Sequence, residues 1–371
     1  MAEGAAQGLR LVSAPDHRLQ GQLRFLQAFP AYTTTGTASD LTLWYHGGRG
    51  AASLTLHAVP GGVTAYGDAS IARHVLHAGA GPLPSPADLP AHPAAHRWLH
   101  GTYGGIRPVQ FAAAFEGMAW TILGQQITLS FAAQLKDRLA RHYGPEVAGP
   151  AGPVWVFPGP DGLARASVED LRRLQLSRQK AEALLGLARA LTSGGWTPEQ
   201  AFGQPTAEAV AELCRFRGVG RWTAEYILLR VAGYPDVLPA GDVGLQRAWA
   251  RLNGLPGRCD EQALQEAGLA WAGWRSDFAF SLWLDNWAAR ERAAGPAARG
   301  RPLGPAVPPC PLGRADPTAG NANARSAIGS SVTSPSLRRG RRSRWDRRCE
   351  PIAASAPSIT AGARGYAPAG A

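Results

Sequence analysis

Two glycines flank a single valine at Gly218-Val219-Gly220, between runs that read as helices, Glu208 to Arg215 and Thr223 to Val231. This turn constrains the fold more than any other feature. It forces two helices to meet with bare backbone on the outer side of the junction. Glycine adopts backbone conformations that other residues resist, and without Cβ atoms another molecule's backbone can come close. The amides opening the second helix then point outward with the helix dipole behind them, which suits a phosphate. The residues concerned are Arg217, Gly218, Val219, Gly220, Arg221 and Thr223. The same turn also serves as a plain helix–helix connection, so the phosphate reading rests on its surroundings.

Those surroundings read as helical from about Ala94 to Ala293. Phe115, Ile122, Leu123 and Ile127 share a face, and Phe131, Leu135 and Leu139 follow at four-residue steps. Ser167-Val168-Glu169-Asp170 reads as a capping-box start. Thr197-Pro198-Glu199-Gln200 reads as an N-cap with proline at the first helical position, and Thr206 with Glu208 opens another helix. The expectation is an all-helical body of many short helices. Ahead of it, Leu41 to His46 and Ser53 to Val59 are rich in β-formers. Gly47, Gly48 and Gly50 separate them, and Pro60-Gly61-Gly62 follows, so a small antiparallel sheet is predicted. Gly81 to Pro93, with five prolines, reads as a connector. The predicted class is α+β, mostly α: an N-terminal α/β domain over 1–88, a helical body over 89–293 and a basic low-complexity tail over 294–371.

The tail decides how the net charge of +11 is read. Residues 295–371 hold twelve arginines and three acidic residues, so nine of those charges lie there and about two belong to the rest. Ala, Pro, Gly, Ser and Arg dominate the segment, and such a composition predicts disorder. A nucleic-acid-binding tail and an inessential extension are both open. Charge therefore says little about what the body binds. Cys214, Cys259, Cys310 and Cys349 are irregularly spaced and form no zinc, iron–sulfur or disulfide pattern, which points to a reducing, cytoplasmic compartment. The first fifteen residues lack the basic and apolar regions of a secretory signal. No stretch approaches the ~20 apolar residues of a membrane span, so a soluble protein without a membrane partner is expected. His92, His96 and His100 recur at four-residue steps, but Pro93 and the lack of a nearby acidic group argue for a structural role. No metal is expected.

Sixteen residues beyond Tyr226 stands Asp242, within Leu238-Pro239-Ala240-Gly241-Asp242-Val243-Gly244-Leu245. Around it lie ILGQQITLSFAAQL (Ile122 to Leu135), LSRQKAEAL (Leu176 to Leu184), FRGVGRWTAEYILLR (Phe216 to Arg230), LPAGDVGLQ (Leu238 to Gln246) and WAGWRSDFAFSLW (Trp271 to Trp283). In this order and spacing, they resemble the helix-hairpin-helix DNA glycosylases, and within them the DNA-3-methyladenine glycosylase II family. The resemblance spans about Ala94 to Asn286. The N-terminal sheet resembles that family's extra domain more loosely.

The resemblance implies a two-lobed helical glycosylase body that acts as a monomer, without a cofactor, on double-stranded DNA containing damaged bases. In a bacterium it would be associated with the nucleoid. The reaction implied is excision of alkylated purines such as 3-methyladenine and 7-methylguanine. The aspartate matching Asp242 faces the deoxyribose of a base flipped from the duplex. Cleaving an N-glycosidic bond builds positive charge on the sugar, which a carboxylate stabilises. Asp242 also stands where it caps the helix Val243 to Leu252, and one role does not exclude the other. Relatives that also cut the backbone carry a nucleophilic lysine at the place of Trp222, so Trp222 implies base release without lyase activity. Trp222 and Tyr226, one helical turn apart, match positions lining the base pocket. Trp271 and Trp274 are further candidates, Trp271 as the stacking platform, while Trp249, Trp283 and Trp287 are read as core. Aromatic faces attract cationic bases by roughly 0.5–2 kcal/mol. Gln125 and Gln126 fall where the family places the side chain that fills the vacated duplex, with Gln126 bonding to the orphaned base. Arg217 stands where proline is usual. Asp277 stands where many relatives have an aromatic, and is a rival carboxylate. A glycosylase for deaminated, oxidised or mispaired bases and a non-catalytic lesion-binding module are the alternative readings.

Overall fold

The structure, a computed structural model, describes residues 8–12, 19–78 and 105–294. The predicted connector, the three spaced histidines and the basic tail lie outside the described residues. The chain opens with β1 (Leu9–Val12) and α1 (Leu19–Ala28), followed by β2 (Thr33–Thr37), β3 (Asp40–His46), β4 (Ala51–Val59), β5 (Gly62–Tyr66) and α2 (Ala69–Val75). The five strands pair antiparallel in the order β1-β5-β4-β3-β2, and the two β-rich runs read as a small antiparallel sheet fall in β3 and β4. Period-two alternation sends Leu41, Leu43 and Tyr45 of β3 and Leu54 and Leu56 of β4 inward. Leu19, Leu23 and Leu26 of α1 join that core at helical spacing.

The helical part comprises α3 (Ala114–Gly124), α4 (Leu129–Tyr143), α5 (Pro160–Ala164), α6 (Val168–Arg173), α7 (Arg178–Thr192), α8 (Thr206–Leu213) and α9 (Arg221–Ile227). After α9 come α10 (Val243–Leu252), α11 (Glu261–Leu269) and α12 (Arg275–Ala294). The Ser167 capping box forms as predicted, with both reciprocal hydrogen bonds. Two expectations need correction. The body is not all helical, because Glu146–Gly149 and Gly152–Trp155 (β6 and β7) pair as a short hairpin. The Thr197 box also forms, but only the single 3₁₀ turn Pro198–Gln200 follows it. Gly203 at φ +92° and Pro205 just beyond it interrupt the helix before it can propagate.

Buried polar side chains tie the sheet to the helices. Lys136 of α4 pairs with Glu116 of α3 at 2.8 Å and donates to the Thr33 hydroxyl at 3.0 Å. Gln22 of α1 donates to the carbonyls of Leu76 and Arg107. The last turn of the α9 rod widens into a π turn over Leu228–Ala232, which Gly233 ends in a left-handed conformation. That turn carries Arg230, only 1% exposed, toward the sheet domain. There its guanidinium donates to the Val109 carbonyl at 2.8 Å and to the Tyr32 hydroxyl at 2.6 Å. Among the described residues, no helix is long and apolar enough to cross a membrane.

Candidate functional site

The Gly-x-Gly turn joins α8 to α9 as the sequence predicts. Gly218 sits at φ +83°, and a Cβ there would lie 2.8 Å from the Cβ of Ala183 on α7. Both the conformation and the close approach therefore call for glycine. Gly220 is the N-cap of α9, whose first-turn amides have no intrahelical acceptor. Val219 is nearly buried and anchors the turn from inside. Of the polar hairpin residues, only Arg217 is well exposed, and it is held to Glu182 at 2.9 Å. Arg221 is engaged along its own helix with Glu225 at 2.8 Å. Burial pushes the Glu225 carboxyl up to about 7 despite that opposing cation. Thr223 is 2% exposed, and its hydroxyl accepts from Gln125. Among the hairpin's polar side chains, Arg217 is thus the one that stands outward and Thr223 the one that faces inward.

Asp242 closes the loop that leads into α10. Its Oδ1 accepts from the Leu245 amide at 2.9 Å, so the side chain does cap the helix. The indole N–H of Trp283 donates to the same oxygen at 3.1 Å, and that of Trp222 donates to Oδ2 at 3.2 Å. Three donors from three elements fix both oxygens of one half-exposed carboxylate. The glycine at 244 permits this approach, since a Cβ there would lie 2.9 Å from Asp242 Oδ1 and 3.3 Å from the Asn286 amide nitrogen. The rings continue beyond the carboxylate. Trp222 and Tyr226 have centroids 5.8 Å apart, and Tyr226 and Trp283 have centroids 5.2 Å apart. Trp222, Tyr226 and Trp283 form one aromatic group with the carboxylate attached to it.

The other two predicted pocket residues, Trp271 and Trp274, pack against Phe278 and Arg107. Trp271 is 2% exposed and lies flat on Phe278 at 4.6 Å, so that face is not open to a base. Trp274 packs against the Arg107 guanidinium at 5.5 Å. Trp283, read from sequence as core, does pack against the core and also stands beside Tyr226 and Asp242. The available signal was helical phase. Trp271 precedes α12, whereas Trp283 lies about two turns inside it.

The rival carboxylate is also placed. Asp277 is 4% exposed and faces Arg107 at 3.5 Å, itself almost fully buried. Burial, only partly opposed by Arg107, raises its pKa to about 6 from the ordinary 3.8. The protonated form is therefore favoured in the fold. Its stabilising effect is complete below pH 3.8 and is lost as pH rises through about 6. A two-unit shift corresponds to about 3 kcal/mol. Denaturant unfolding of the wild type and Asp277→Asn should show this sign. The variant's stability relative to wild type should climb by up to about 3 kcal/mol between pH 4 and 7. A flat difference would place the Asp277 carboxyl at its ordinary value.

The two glutamines part company. Gln125 is turned inward, its amide donating to the Gly218 carbonyl at 2.8 Å and to the Thr223 hydroxyl at 3.0 Å. Its donor group is thus engaged with the hairpin. Gln126 is exposed and holds φ +57°, a left-handed conformation uncommon outside glycine. An open cleft of roughly 420 Å³, lined in part by Trp196, Gln200, Glu212, Arg215 and Phe216, holds none of the predicted site residues. Among the described residues, no cluster of His, Cys, Asp and Glu is arranged to hold a metal ion.

The profile of the HhH-GPD superfamily of base excision DNA repair proteins matches residues 119–273, from α3 to the start of the Trp271 segment. DNA-3-methyladenine glycosylase 2 of Escherichia coli is 32% identical over 250 residues, covering 63% of this chain and 84% of that protein. DNA-3-methyladenine glycosylase of Bacillus subtilis is 32% identical over 179 residues, covering 48% of this chain and 59% of the relative's length. A solved 3-methyladenine DNA-glycosylase from Archaeoglobus fulgidus shares the fold, with a TM-score of 0.63 at 23% identity over 75% of this chain and 98% of that one.

Proposed function

The chain belongs to the DNA-3-methyladenine glycosylase family within the helix-hairpin-helix base-excision superfamily, and we propose that it excises alkylated purines from double-stranded DNA by hydrolysis of the N-glycosidic bond. One observation carries this reading: a carboxylate fixed by two indole N–H groups whose rings, with the buried Tyr226, form the adjoining aromatic group. An alkylated purine with a formal positive charge is attracted to those faces by roughly 0.5–2 kcal/mol. That charge also weakens the bond to the sugar, so the base departs as a neutral purine. As the bond lengthens, positive charge grows on the deoxyribose, and Asp242 lies where it opposes that charge. Its donors hold it in place before the reaction, so no reorganisation is needed at the transition state. Water then adds to the sugar and the product is an abasic site in an unbroken strand.

Lysine chemistry finds no support here. The chain has two lysines, Lys136 and Lys180. The first is sealed in its ion pair with Glu116, and the second donates to the Leu123 carbonyl. With Trp222 at the place where a nucleophilic amine would stand, the proposed enzyme releases the base and stops. It acts as a monomer on damaged duplex DNA.

A charged mimic of the transition state tests the proposal. Duplex DNA with a cationic pyrrolidine in place of one deoxyribose should bind at least about 100-fold more tightly than the same duplex with a neutral tetrahydrofuran. Asp242→Asn should abolish the difference. Equal affinity of the wild type for both duplexes would remove the carboxylate from the chemistry.

A further inference from the structure

Gln125 lies next to the residue assigned to the duplex, yet it is bonded to the hairpin. Its side-chain nitrogen donates two hydrogen bonds, to Gly218 O and Thr223 Oγ1, across 93 and 98 residues of chain. The α7 helix touches both the hairpin and the end of α3. Near its N-terminus, Lys180 donates to the Leu123 carbonyl at 2.5 Å, holding the end of α3 from which the Gln125–Gln126 loop departs. Less than one turn on, Ala183 packs under Gly218, and Glu182 pairs with Arg217. Burial lowers the Lys180 ammonium to about 8, as expected of an amine pressed between helices. The Gln125 hydrogen bonds close the third side of the triangle formed by α7, the hairpin and the loop. Gln126, at the outer corner, is exposed and left-handed.

We infer that Gln125 is a positioning residue that couples the hairpin's grip on the DNA backbone to insertion of Gln126 into the duplex. The inference rests on the glycosylase reading above. A residue in the left-handed region costs of order 1–3 kcal/mol and persists only where its surroundings hold it. With the Gln125 latch in place, Gln126 keeps a fixed offset from the backbone amides of α9. Phosphate contact by the hairpin therefore presents Gln126 to the base stack. Without the latch, the hairpin still binds DNA, but the loop is free to adopt other conformations and insertion is no longer tied to docking.

Single-turnover base release measured on two duplexes tests this. In one the alkylated purine is paired; in the other it lies opposite an abasic site, so that no pair has to be opened. Two lost hydrogen bonds correspond to a roughly ten- to hundred-fold effect. Gln125→Ala should slow release from the paired duplex by that factor and release from the unpaired one by less than about threefold. Gln126→Ala should show the same selectivity. The double variant should be no slower than the slower single one, because both act through the same insertion step. Gln125→Glu, which keeps the shape but places an acceptor against the Gly218 carbonyl, should match Gln125→Ala. Thermal melts of each variant accompany the rates. Equal slowing on both duplexes, or multiplicative effects in the double variant, would overturn the inference. Failure of the wild type to release base from either duplex would instead sink the glycosylase reading.

Discussion

Asp242→Asn is expected to slow base release by about a thousandfold while leaving DNA affinity within a factor of three. Removing a single preorganised group that faces developing charge typically costs 10²–10³ in rate, and here the full charge is removed. Asparagine keeps the side-chain volume, and its carbonyl oxygen can still accept from the Leu245 amide as the helix cap. Its amide nitrogen, however, must face an indole N–H that the carboxylate now satisfies, whichever way it turns. The change therefore leaves one buried-edge donor facing another, a cost of about 1–3 kcal/mol in stability. The hairpin is untouched, so binding survives. A variant that loses rate and binding together would show that the substitution disrupts the loop. Single-turnover rates and binding to uncleaved lesion duplex separate the two.

Arg230→Ala is expected to destabilise the protein by about 4 kcal/mol, enough to lower the melting temperature by roughly 10 °C. Arg230 is a buried cation with no carboxylate within ion-pair distance among the described residues. Its charge is met by the Val109 carbonyl, the Tyr32 hydroxyl and the faces of Phe25, Phe111 and Phe280, among other rings. Truncation takes the Arg230 donor from the Tyr32 hydroxyl and leaves the Val109 carbonyl with the Tyr32 hydroxyl at 3.2 Å, a cost of about 1–3 kcal/mol, and it opens a cavity beside the rings. Arg230→Met fills more of the cavity and removes the need to desolvate a charge, so it should cost about half as much. The loss should fall on the junction between sheet and helices. Tyr226 sits one turn before Arg230 with its hydroxyl 3.5 Å from the guanidinium, so near-ultraviolet circular dichroism from the site should change with it. Equal stability of wild type and Arg230→Ala would mean that the junction is held by other contacts.

What the sequence makes legible here is local. The β-rich runs, the Ser167 box and the limits of α10 depend on residues a few positions apart, and they appear where expected. So does the cap at Asp242, because the N-cap geometry needs only Leu245, three residues on. What it hides is non-local or a matter of phase. Trp271 and Trp283 stand in one matched stretch, and only the start of α12 shows that Trp283 reaches Asp242. The adjacent glutamines look equivalent as letters. Their division of labour follows from acceptors in the hairpin, nearly one hundred residues away. The aromatic count was equally mute, since a ring next to Phe278 and a ring next to Asp242 obey the same helical spacing.

The central claim is best tested with the wild-type protein and duplex DNA carrying a single 7-methylguanine, following free base and strand integrity in the same samples. Release of 7-methylguanine, with strand breaks only after alkali, is the predicted result. Binding without release would contradict the assignment of an enzyme, and breaks appearing without alkali would contradict a glycosylase that stops at the abasic site.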